Sequence, residues 1–238
     1  MKTSTLVIAG AWLAAAVLYA DLASAQAASP TSAPAPAGAT NASQATGSQE
    51  SPSDIVQSAA QGILKDLEAN RAAYHKDPAK IGPLVDKYLL PHFDTEYAAK
   101  LVLGLNWRTA TPEQRKRFVD AFYHSLLTNY GSALADFTAD KLKVYPTKVD
   151  PGADHATVRT EINRDSGDRI AVNYLLRKTA DGWKAYDVNI EGISYVKSYR
   201  DDFGAQIQQK GIDAVISRLE KGEKPGDISK TTKATGST

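Results

Sequence analysis

Apolar residues recur at helical spacing through the first half of the chain and at alternate positions through much of the second. Ile55, Ala59, Ile63 and Leu67, with Val56, Ala60 and Leu64 beside them, form one stripe and predict an amphipathic helix. Ser51-Pro52-Ser53-Asp54 is its start signal, with proline in the first turn and an acid at the positive end. It should end near Tyr74, before Asp77-Pro78. A shorter helix carries Leu84, Val85, Tyr88 and Leu89 and stops at Pro91. A third is expected from about Phe93 to Leu103, ended by Gly104. Thr111-Pro112-Glu113-Gln114 has the form of a capping box. The long helix behind it should bury Phe118, Phe122, Leu126, Tyr130, Ala133, Leu134 and Phe137.

After Asp140 the period becomes two. Leu142 and Val144 alternate with lysines, and Pro146 marks an edge strand. Ala156, Val158, Thr160 and Ile162 share one side of a second strand. Asp165-Ser166-Gly167-Asp168 is a hairpin turn. Ile170, Val172, Tyr174 and Leu176 share one side of a third strand, and Ala180-Asp181-Gly182 turns into a fourth. There Lys184, Tyr186, Val188 and Ile190 are expected on one side, and Trp183, Ala185, Asp187, Asn189 and Glu191 on the other. Gly192 breaks this alternation. From Ile193 the spacing is helical again, through Val196, Tyr199, Phe203 and Ile207. The reading is an α+β fold: an antiparallel four-stranded meander with helices before and after it, covering its one apolar face.

The ends of the chain differ from this body. Lys2, the apolar run Leu6 to Leu18 and Ala23-Ser24-Ala25 form a secretory signal, cut after Ala25. The run is shorter than the roughly 20 apolar residues that span a bilayer, and there is no cysteine for a lipid anchor. Residues 26–52 hold only small and polar side chains and read as a disordered linker, and 223–238 as a disordered tail. The folded domain is then 53–222, with 1–25 removed. The whole chain has no cysteine, so an exported protein must rely on its core alone. A net charge of +1 lacks the electrostatic footprint of a nucleic-acid binder.

Catalytic and metal signatures are missing. His75, His92, His124 and His155 have no ligand spacing between them, and no phosphate-cradling loop, nucleophile elbow or H-E-x-x-H occurs. Small isomerases on a curved sheet use a buried aspartate with a tyrosine. Here Tyr186 and Asp187 are adjacent in a strand, and Asp187 is expected on the polar side, which argues against such a pair. What stands out is apolar and aromatic surface on facing elements. Val172, Tyr174, Leu176, Tyr186, Val188 and Ile190 on the sheet face Phe118, Phe122, Leu126 and Tyr130 on the long helix. Val196, Tyr199 and Phe203 close the other side, with Ile193 ahead of them. Periodicity does not separate a filled core from a pocket.

Several ordered motifs carry a resemblance. W-K-A-Y-D-V-N-I-E-G-I-S at 183–194 is followed by Tyr199 and Phe203 and by K-G-I-D-A-V-I-S-R-L at 210–219. Y-A-A-K-L-V-L-G at 97–104 and T-P-E-Q-R-K-R-F at 111–118 precede them. Over about residues 54–222 the chain resembles the MlaC, or toluene-tolerance, family of periplasmic phospholipid-binding proteins. The resemblance implies an NTF2-like or cystatin-like core with a helical subdomain and a cavity between helices and sheet. It implies phospholipid as cargo, no cofactor, no catalysis and a monomer in the periplasm. Partners would be an inner-membrane ABC transporter complex and an outer-membrane lipoprotein–porin complex, in the upkeep of outer-membrane lipid asymmetry. The thirteen facing residues above, Ile193 aside, would be the lipid-binding set. A hopanoid carrier of the same family, a ligand-free adaptor and an isomerase remain as other readings.

Overall fold

The computed structural model describes residues 50–135, 138, 142–163 and 167–225. The expected signal peptide, the linker up to Gln49, Phe137, Asp165, Ser166 and the tail from Gly226 lie outside the described residues, as does the Ala133 side chain. Helix α1 (Pro52–Lys76) starts on a reciprocal cap: the Asp54 amide donates to Ser51 Oγ (3.2 Å) and the Ser51 amide to the Asp54 carboxylate (3.3 Å). It kinks at Asn70, whose side-chain amide turns back to Asp66. A single 3-10 turn (Pro78–Lys80) leads into α2 (Ile81–Tyr88), and another, Leu90–His92, leads out of it. Helix α3 (Thr95–Leu103) begins later than Phe93, because Asp94 caps it and Phe93 itself is extended. A four-residue helix, α4 (Asn106–Thr109), was not visible in the periodicity. Helix α5 (Pro112–Tyr130) has the expected capping box, formed by Thr111 and Gln114 in both directions.

The sheet is β1 (Leu142–Val144), β2 (His155–Asn163), β3 (Arg169–Thr179), β4 (Gly182–Ile190) and β5 (Ile193–Ser194) in that spatial order, each pair antiparallel. The fifth strand is two residues long. Gly192, after which helical spacing was expected from Ile193, is instead part of a tight turn. Glu191 (φ 51°) and Gly192 (φ 84°) reverse the chain, and Ile193–Ser194 pair back onto Asn189–Ile190 before α6 (Tyr195–Lys210) begins. Helix α7 (Ile212–Glu220) follows through Gly211.

Strands β2 and β3 bury the expected side: Val158, Thr160, Ile162, Ile170, Val172, Tyr174 and Leu176. Strand β4 departs from strict alternation. Leu175 pairs with Asp187 but Leu176 with Ala185, so Tyr186 is an extra residue in the ladder. Such a bulge moves every side chain beyond it to the other face. Trp183 and Ala185 therefore join Val188 and Ile190 on the buried side, where Lys184 and Tyr186 were expected. Tyr186 stands edge-on to the rings of Tyr97 (5.2 Å) and His155 (6.0 Å). At the bulge the outer edge of β4 receives Phe93–Asp94: Phe93 bridges to Ala185 and the Asp94 amide donates to the Ala185 carbonyl (2.7 Å). With β5 on the same edge, little of it is left open to pair with another chain.

Asp187 is a second correction. It is buried at 5% exposure, not on a solvated polar side. Its carboxylate accepts from Ser194 Oγ (2.6 Å) and from the amides of Val188 (2.8 Å) and Val196 (3.0 Å), fastening the start of α6 to the sheet. Helical structure thus reaches β4 on both sides. The chain beyond α7 also holds to the body for longer than expected. Ser125 Oγ donates to the Glu223 carbonyl (2.6 Å), Asn129 Nδ2 to that of Gly222 (3.1 Å), and Pro225 is buried.

Candidate functional site

Three cavities lie along one seam and share their walls. The first, about 90 Å³, is bounded by Val85 of α2, by Leu89, Leu90 and Phe93 of the segment after it, and by Tyr123, Leu126, Leu127 and Tyr130 of α5, with Gly131 and Leu134 at its end. The second, about 30 Å³, shares Leu89 and Phe93. It continues between Ile55, Val56, Ala59 and Ala60 of α1 and Leu142, Tyr174, Leu176 and Ala185 of the sheet. The third, about 210 Å³, shares Ile55 and His92 and is polar, with Glu50, Asp181, Gly182 and Trp183. The three cavities therefore follow one another from beneath α2, past Leu89 and Phe93, between α1 and the sheet, to the side of His92. The first two cavities are lined almost wholly by apolar side chains.

The walls over these cavities are tied by single polar contacts. The Tyr123 hydroxyl donates to Asp86, joining α5 to α2 (2.5 Å), and burial together with that carboxylate raises the phenol pKa. The Tyr88 hydroxyl donates to Asp66 (3.4 Å), joining α2 to α1, beside the bond that Tyr74 of α1 itself makes to the same carboxylate (2.7 Å). Tyr88 lies so close to α1 that a Cβ on Gly62 would stand 2.4 Å from its ring. Arg71 of α1 donates to the Ala135 carbonyl (2.6 Å), next to Leu134 in the cavity wall.

Of the residues expected to surround a ligand, the structure brings four to these cavities: Leu126 and Tyr130 to the first, Tyr174 and Leu176 to the second. Phe118, Phe122, Tyr199 and Phe203 pack on one another instead, ring centroids 5.1–5.9 Å apart, mostly edge-to-face. Val172, Val188 and Ile190 are buried beneath the sheet's inner face and line none of the three cavities; Val196 is half-buried and Tyr186 stands apart with Tyr97. The residues that sequence reasoning missed come from Val85 to Phe93 and from the N-terminal half of α1. Their signal was a surplus: Leu89-Leu90-Pro91-His92-Phe93 holds three large apolar side chains where a helix ends, and Leu126-Leu127 doubles the stripe of α5.

Among the described residues no group of three or more His, Cys, Asp or Glu side chains could hold a metal, and no helix is long and apolar enough to cross a membrane. Asp187, the one buried acid among the described residues, has its oxygens taken by Ser194 and by backbone amides and lines none of the cavities.

A family model described as MlaC protein matches residues 57–221, most of the chain. The chain belongs to the MlaC family. Among its relatives, the toluene tolerance protein ttg2D of Pseudomonas putida is 32% identical over 165 residues, covering 69% of this chain and 76% of that protein. The intermembrane phospholipid transport system binding protein MlaC of Haemophilus influenzae is 26% identical over 178 residues, covering 73% and 82%. A solved phospholipid-binding protein from Ralstonia solanacearum, in complex with a phospholipid, superposes with a TM-score of 0.67 at 24% identity, over 77% of this chain and all of that one. That likeness establishes a shared fold. The MlaC match spans every element that builds the three cavities except the extreme start of α1 and Glu50.

Proposed function

We propose that this chain is a periplasmic, non-catalytic carrier that binds phospholipid and moves it between membranes. The observation that supports the reading most is the pair of adjoining apolar cavities between α1, α2, α5 and the sheet in a chain of the MlaC family. A related protein is named for intermembrane phospholipid transport. The described cavities are small beside the roughly 300–1,000 Å³ of ordinary ligand sites, so Leu89, Phe93 and α2 must part to admit acyl chains. Sheltering about 30 methylenes from water is worth roughly 25 kcal/mol. In a bilayer those methylenes are already dry. A carrier that matches the bilayer loads with little change in free energy, while escape into water is forbidden. Direction is then set by the partners, an inner-membrane ABC transporter complex and an outer-membrane lipoprotein–porin complex.

Native mass spectrometry of protein taken from the periplasm should show a bound phospholipid, and two substitutions should separate cavity from core. Leu126→Trp places its ring in the cavity beneath α2, so the delipidated variant should keep its melting temperature while bound lipid falls. Phe122→Trp enlarges a side chain in the filled aromatic cluster and should cost about 1–3 kcal/mol. A Leu126→Trp protein that carries lipid at the wild-type level would remove this cavity from the site.

A further inference from the structure

Leu89 and Phe93 are the two residues that line both apolar cavities. They bound the segment 89–93, which joins α2 to the Asp94 cap of α3. Its middle is a single 3-10 turn, Leu90–His92, and its last residue is extended. Every residue in it is half-buried or exposed. So short a 3-10 turn holds its shape weakly.

The ties of this segment to the sheet lie at its downstream end. Phe93 bridges to Ala185, and the Asp94 amide donates to the Ala185 carbonyl, as described above. The Asp94 carboxylate adds a tie to the neighbouring strand. Arg177 of β3 places Nε and Nη2 each 2.7 Å from Asp94 Oδ2. The other oxygen, Oδ1, accepts from the Tyr97 amide (3.0 Å) and caps α3. The Arg177 guanidinium also lies 4.3 Å from the centroid of the Tyr97 ring, which holds it over the pair. Charge-assisted bonds of this kind are stronger than neutral ones. Neither Asp94 nor Arg177 lines any of the three cavities.

We propose that residues 89–93 are a moving partition between the two apolar cavities, and that the Arg177–Asp94 ion pair is the clasp that sets how fast it opens to a lipid acyl chain. This rests on the carrier reading and adds its rate-setting step. Cavities of about 90 Å³ and 30 Å³ do not hold a two-chain lipid, and the side chains common to their walls are Leu89 and Phe93. Swinging Phe93 aside joins the two spaces. That motion pulls on Asp94, the next residue, which is tied to two strands. The clasp touches no cargo, so it closes alike on the empty and the loaded protein. It governs uptake and release together and leaves affinity alone.

The test uses the full mature chain, delipidated, and vesicles of dioleoylphosphatidylglycerol with a radiolabelled fraction. Uptake from labelled vesicles and release to unlabelled ones are timed, and the loaded fraction at equilibrium is measured. Arg177→Met removes the charge; Asp94→Asn does so while keeping the capping oxygen. Each should speed both directions by about three- to tenfold, the scale of a charge-assisted hydrogen bond discounted for the partial exposure of Arg177. The double variant should be no faster than either single one, because both break one contact. Arg177→Lys should fall between, and the loaded fraction should not change. Hydrogen exchange locates the opening: amides of 89–94 should lose protection while those of α5 keep theirs. Unchanged rates overturn the clasp, and so does protection lost throughout α5, which would mark general destabilisation. Acceleration in one direction only, or an altered loaded fraction, overturns it too, by making the pair part of the lipid contact. Should Arg177→Met fail to fold, Asp94→Asn and Arg177→Lys carry the same comparison. If the wild type takes up no phospholipid, the carrier reading itself fails; if it does and the variants exchange at its rate, only the clasp does.

Discussion

Two aspartates show how placement, not identity, sets the behaviour of a residue here. Asp66 accepts hydrogen bonds from Tyr74, Asn70 and Tyr88 and sits near Lys87, and its pKa is lowered from 3.8, the Tyr74 hydroxyl being the largest cause. Asp187 also accepts several hydrogen bonds, yet burial outweighs them and its pKa is raised from 3.8. The two act on stability with opposite signs. The folded state binds a proton at Asp66 less readily than the unfolded chain does, so its contribution is present above pH 3.8 and is lost as pH falls through the folded value. For Asp187 the contribution is present below 3.8 and is lost as pH rises through the raised value. Asp66→Asn should therefore cost about 1 kcal/mol at neutral pH, the difference between charged and neutral acceptors. It should also flatten the acid limb of the stability curve. Urea unfolding of variant and wild type across the acid range checks both. An acid limb as steep in Asp66→Asn as in the wild type would place that titration elsewhere.

At the scale of elements, the pairing of α1 with α2 is what shapes the first cavity, because α2 contributes Val85 and delivers Leu89 and Leu90. Gly62 permits it. In a helix interior alanine is better than glycine by about 1 kcal/mol, so Gly62→Ala would ordinarily stabilise. Here its Cβ meets Tyr88 at 2.4 Å and 2.7 Å. The ring must leave, Asp66 loses a donor, and α2 is pushed from α1. Gly62→Ala should be destabilising on balance, since overpacking costs about 1–3 kcal/mol. In a Tyr88→Ala background the same change should become stabilising. That reversal of sign in a double-mutant cycle, read by urea denaturation, assigns the effect to this one contact. Additive changes would rule it out.

At the scale of the whole molecule, the boundary of the folded unit is a physical question with a sharp answer at the C-terminal end. The residues from Glu223 were expected to be a tail, on composition. Yet Ser125, fully buried, has the Glu223 carbonyl as its acceptor, and Pro225 is buried against the body. Ending the chain after Gly222 leaves that hydroxyl without its partner and should cost about 1–3 kcal/mol. Ending it after Pro225 removes none of these contacts and should leave the melting temperature unchanged, as should starting the chain at Glu50. Calorimetry on the three truncations tests the boundary directly. Equal stability of the two C-terminal truncations would return Glu223–Pro225 to the tail.

What the sequence determined by itself was what depends on neighbours along the chain. The caps at Ser51 and Thr111 were legible because a capping box closes within four residues. The faces of β2 and β3 were legible because alternation there is unbroken. The motifs at 97–104, 111–118 and 183–194 carried the family. Tertiary structure decided the rest. Whether Tyr186 or Ala185 faces the core depends on a bulge, and at that bulge Phe93–Asp94 docks on β4 from about ninety residues away. Asp187 is buried because a helix start closes over it, which no local pattern announces. Phe122 and Leu126 sit one turn apart on one helix and look alike in sequence. One fills a cluster of rings and the other borders open space, because packing depends on what stands opposite, and α2 stands opposite only one of them.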